Sequence, residues 1–63
     1  MYYLTILDFA TGTVDQYDLL NYYEEKELEE WQTEDFIYFL TSEGYKFSNI
    51  EWMSHSDNRI NKY

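Results

Sequence analysis

The chain has no cysteine and no proline, two glycines, one histidine, and only four lysines and arginines against thirteen acids. Each scarcity removes something. Without cysteine there is no disulfide to staple the fold and no thiolate to bind zinc or attack a substrate, and a lone histidine is a poor start for a metal site. The shortage of bases argues against direct binding of nucleic acid or an anionic membrane, because phosphate recognition needs clustered Lys and Arg. No apolar run is long enough to span a bilayer, MYYLTILDF lacks the basic start of a signal peptide, and no Asn-x-Ser/Thr sequon is present. The expectation is a soluble intracellular protein without metal or cofactor, whose partners are basic proteins.

What is present is aromatic and acidic. In 63 residues there is room for a single domain spanning 1–63, and a core so small leaves little stability once chain entropy is subtracted. Rings must make up the difference: Tyr, Phe and Trp are 22% of the chain, and each buries on the order of 150–250 Å². That content favours a folded domain over a disordered one despite the charge.

Tyr2 to Phe9 reads as a strand, with Leu4 and Ile6 on one face and Thr5 and Leu7 on the other. Both faces are half-apolar, which predicts a strand covered on both sides. Ala10-Thr11-Gly12-Thr13 supplies a turn in which Gly12 can take positive φ, and Thr13 to Leu19 resumes the alternation, giving a β-hairpin. Asn21 is a candidate helix cap with Glu24 three residues on, although Tyr23, Leu28 and Trp31 make no clean stripe. An irregular acidic loop with one helical turn fits that stretch nearly as well. Glu34 to Glu43 is the clearest helix, with Thr33 as cap and Gly44 just beyond its end. Phe36, Ile37, Phe39 and Leu40 fall within an arc of roughly 160° and form its core face. Ile50 to His55 alternates as a third strand, Ser56-Asp57-Asn58 is a turn, and Arg59 to Tyr63 is either a short edge strand or a frayed tail. The order β-β-α-β predicts an α+β fold, a small antiparallel sheet packed on one main helix.

Charge is distributed unevenly along this frame. Between Val14 and Tyr45 lie ten carboxylates and one base, Lys26, so this segment carries the whole net charge of −9. Its densest part holds Glu24, Glu25, Glu27, Glu29, Glu30, Glu34 and Asp35. Were it one helix, its six net charges would be spaced about 2.8 Å apart, close to the ~3.4 Å of a DNA strand. A helix would also spread them around its axis, unless a break at Gln32-Thr33 gathers them. The alternative is a solvated face that keeps a ring-rich protein soluble. Confining the excess to half the chain goes beyond what solubility requires.

Tyr22, Tyr23 and Trp31 flank the run, and rings among acids suit an interface in which aromatics anchor and carboxylates steer. Trp31 fits better as packing, whereas Tyr38 falls on the outer side of the main helix and is a contact candidate. Catalysis finds no support. Paired acids must face each other across a cleft, and the run lacks the D-x-[DN]-x-[DN]-G pattern of a calcium loop. Ser54-His55-Ser56-Asp57 holds triad residue types without triad geometry, which predicts a solvated histidine at a strand end. Tyr17-Asp18-Leu19-Leu20 matches a tyrosine-based sorting signal, but within a strand and with no membrane span the match carries no weight.

A short, acidic, Tyr-rich, cysteine-free chain beginning MYYLTILDF directly on a strand is similar in style to the small accessory proteins of tailed bacteriophages. Several such proteins inhibit host restriction nucleases, CRISPR effectors or RNA polymerase, some by imitating the charge of DNA. The resemblance covers the whole chain, rests on no motif and assigns no residues. It implies an inhibitor in the host cytoplasm. Two functions follow as expectations. One is a non-enzymatic DNA mimic that docks on a basic nucleic-acid enzyme through the seven acids above with Tyr22, Tyr23 and Tyr38. The other is an interaction module or complex subunit, homodimeric or not, that binds through an apolar patch or sheet edge.

Overall fold

The computed structural model describes residues 2–63. Three strands, β1 (Tyr3–Asp8), β2 (Thr13–Asp18) and β3 (Ile50–His55), form one antiparallel sheet in the order β2-β1-β3. The main helix α2 (Thr33–Ser42) lies between β2 and β3 in the chain, preceded by a single helical turn, α1 (Glu25–Leu28). The fold is therefore α+β with the order β-β-α-β.

The hairpin forms where the sequence places its only flexible turn. Gly12 sits at φ +70, a conformation that costs glycine little, and its N–H donates to the Asp8 carbonyl at 2.8 Å. Register then decides what is buried. Leu4 lies opposite Tyr17 and Ser54, and Ile6 opposite Asp15 and Trp52, so these residues share the helix-facing side. Leu4, Ile6 and Ile50 from the sheet close against Phe36, Phe39 and Leu40 of α2, with Leu19 and Leu28 filling the space from the connecting segment.

Four expectations need correction, and one alternative is decided. Helix α2 starts one residue early: Gln32 is its cap residue, and its N–H donates to Asp35 Oδ2 at 2.7 Å, half of a capping box. Thr33 is instead the first helical residue. Asn21 caps nothing, because it ends a 3₁₀ turn begun by Asp18, whose Oδ1 accepts from the Leu20 N–H. Ile37 sits at the margin of the buried arc and is exposed. Of the two readings of the C-terminal segment, the one without a strand holds: no fourth strand forms among the described residues, and 57–63 have no regular structure. The second face of the sheet is open to solvent, with Leu7, Val14 and Met53 exposed there. Gly44, at φ +91, does end the helix as expected.

Candidate functional site

The acidic run is divided into three pieces. Glu24 precedes α1, which carries Glu25 and Glu27 in its first turn; Glu29 and Glu30 follow it; Glu34 and Asp35 open α2. A single long helix is ruled out by Leu28, which turns into the core, and by the extended backbone at Gln32. Five of the acids, Glu24, Glu25, Glu27, Glu34 and Asp35, thus lie at two helix N-termini, where the unpaired N–H groups favour negative charge, whereas Glu29 and Glu30 follow the end of α1. All seven carboxylates are exposed. Among the described residues the one ion pair, Arg59 with Asp57, lies elsewhere, so no base neutralises the run, Lys26 included.

Two of the seven have internal partners. Asp35 accepts from the Gln32 N–H, and Glu25 accepts from the Tyr2 hydroxyl at 2.9 Å. The hydrogen bond to Glu25 raises the Tyr2 pKa above its ordinary value, with desolvation and the charges of Glu25 and Glu29 adding to the effect. Glu29 stands four residues after Glu25, one helical turn on, which puts the two on the same side of the turn. Among the described residues no three acidic or histidine side chains converge closely enough to hold a metal ion. The acids are exposed and converge on no common point.

The aromatic candidates separate by exposure. Tyr38 is 75% exposed on the outer face of α2 and is free to touch a partner. Tyr22 is also exposed, though its ring leans edge-on against Phe39 at 6.0 Å and Tyr17 at 6.3 Å. Tyr23 is half-buried, with its ring 4.9 Å from that of Trp31, and belongs to the packing instead. Trp31 is itself half-buried against Phe36 and Phe39.

His55 is held, which corrects the expectation of a solvated ring. It is half-buried and stacks on Tyr3 with centroids 6.0 Å apart. Its Nδ1 lies 2.6 Å from the Asp57 carbonyl, which can only accept, so Nδ1 carries the proton. Nε2 lies 2.5 Å from Thr5 Oγ1. Asp57 meets this ring through its backbone carbonyl, while its carboxylate is taken up by Arg59.

Two features escaped the sequence reading. The Tyr45 hydroxyl donates to Asp15 Oδ2 at 2.7 Å, and because it has a single proton, the Tyr17 hydroxyl 3.0 Å away must donate to it. Desolvation first, then the bonds to Tyr17 and Asp15, push the Tyr45 pKa far above its ordinary value. These partners lie 28 and 30 residues apart, beyond any local pattern. The second is the open sheet face: alternation sets Thr5, Leu7, Val14 and Met53 outward but does not reveal whether a second layer covers them.

Comparison with protein-family models, curated proteins and solved structures finds no significant match for this chain. Among the described residues no helix is long and apolar enough to cross a membrane.

Proposed function

We propose that this protein is a non-enzymatic inhibitor or regulator that docks its acidic side on the basic, nucleic-acid-binding surface of a partner protein. A nuclease, a CRISPR effector and RNA polymerase all present such a surface. One observation carries the reading: seven exposed carboxylates between Glu24 and Asp35 have no compensating ion pair among the described residues. Like charges held close together raise the energy of the free protein, and a cationic partner lowers it. Glu24, Glu27, Glu29, Glu30 and Glu34 steer the encounter and Tyr38 anchors it, with Tyr22 at the edge. The test is competition. An enzyme captured from bacterial lysate on the immobilised protein is released by duplex DNA in proportion to the occupancy of its nucleic-acid site. Retention of that enzyme at saturating DNA contradicts the proposal.

A second reading is favoured by the open sheet face. Leu7, Val14 and Met53 are 43%, 56% and 57% exposed on one side of the sheet, a surface suited to an apolar partner. In that case Glu→Gln changes in the acidic run leave binding intact and Met53→Asp abolishes it.

A further inference from the structure

The open face has a neighbour in the chain itself. After His55 the backbone turns: the Asp57 carbonyl accepts from His55 Nδ1, and the Asp57 carboxylate receives both the Arg59 backbone N–H at 2.9 Å and its guanidinium, with Nη2 at 2.6 Å. This turn sends the following residues back along the sheet. Ile60 then lines the same groove as Leu7, Val14 and Met53. The lengths agree. From the level of His55 back to that of Met53, which lies opposite Thr5, is two residues, about 7 Å, and a segment from Asp57 to Ile60 reaches up to about 10 Å.

We propose that residues 57–63 act as an intramolecular strap, hinged at the His55-Asp57-Arg59 turn, that closes over the open sheet face and seats Ile60 among Leu7, Val14 and Met53. Ile60 is 57% exposed, so its seat is only partly occupied and the strap is poised to close further. The alternative occupant, a second copy, fits less well. Three six-residue strands present a footprint of roughly 20 Å by 14 Å, well below the ~800 Å² per partner of a standard interface. A second copy would also bring another net charge of −9. A strap needs neither a large area nor a tolerance for repulsion, and it shields an apolar surface that is otherwise free to promote association.

The strap is tested on the full chain by methyl NMR and analytical ultracentrifugation. The expected result is direct cross-peaks from the Ile60 methyls to Leu7, Val14 and Met53, on a monomer. Ile60→Asp should remove the apolar seat and reduce the closed population roughly fivefold, the effect of losing about half of one isoleucine burial. Stronger binding of an apolar fluorescent dye reads out that opening. Arg59→Ala leaves Ile60 in place, loosens only the hinge, and should weaken the same cross-peaks. Because both sites are exposed, neither change threatens the core. Absence of cross-peaks in the unaltered protein, or a dimer whose association is unaffected by Ile60→Asp, overturns the proposal.

Discussion

A single hydroxyl ties the loop after α2 to the sheet. Tyr45 donates to Asp15 and accepts from Tyr17, so removing its oxygen leaves a half-buried carboxylate without its donor and a phenol without its acceptor. Tyr45→Phe should destabilise the fold by about 1 kcal/mol, measured by urea unfolding, with the slope unchanged. Asp15→Asn should cost less, since its amide oxygen still accepts. The same residue sets an alkaline limit. In the folded state Tyr45, and to a smaller degree Tyr2, hold their protons to higher pH than the ordinary tyrosine value of about 10. The unfolded chain releases those protons first. Stability contributed by these groups is therefore fully present below about pH 10 and declines as pH rises above it towards the folded pKa. Thermal melts from pH 8 to 11 should show that fall, and it should be shallower in Tyr45→Phe. A melting temperature constant across this range would contradict the assignment.

At the scale of elements, what could be read from the sequence was what local chemistry enforces. Gly12 and Gly44 both adopt positive φ where the turn and the helix end require it, and Phe36, Phe39 and Leu40 bury as their spacing predicts. With no atom within 4 Å of a Cβ at Gly44, Gly44→Ala meets only backbone strain, and a loss of about 1 kcal/mol in chemical denaturation is expected. The illegible parts were settled by competition over longer range. Thr33 looked like the cap because its side chain is the better acceptor, yet the Gln32 N–H has Asp35 as a partner three residues on, and the helix starts accordingly. Asn21 lost to Asp18 for a similar reason, the earlier acid already closing a 3₁₀ turn. In the candidate site, Tyr38 was legible from its place on the helical wheel. The fate of Tyr23 was not, because it depends on Trp31, eight residues further on, folding back on it.

The whole molecule has two unlike sides. Helices bearing the exposed carboxylates cover one face of a thin sheet; the other face exposes Leu7, Val14 and Met53, with Glu51 beside them and Ile60 of the C-terminal segment lining the same groove. In the proposed function the acids act at long range, and in the proposed strap Ile60 shields the apolar side, so the two roles fall on different surfaces. Glu25 and Asp35 are committed to Tyr2 and Gln32, so the acids available to a partner are Glu24, Glu27, Glu29, Glu30 and Glu34. Changing Glu29 and Glu30 together to Gln should slow association roughly tenfold while leaving the melting temperature almost unaltered.

The central claim, that unpaired charge on the helical side drives recognition, is tested most directly by affinity for the captured enzyme as a function of salt. Exposed charges are screened beyond about 8 Å at physiological ionic strength, so the dissociation constant should rise steeply with salt, and less steeply for the Glu29→Gln, Glu30→Gln protein. An affinity that stays level from low salt to several times physiological, identical in the two proteins, would contradict it.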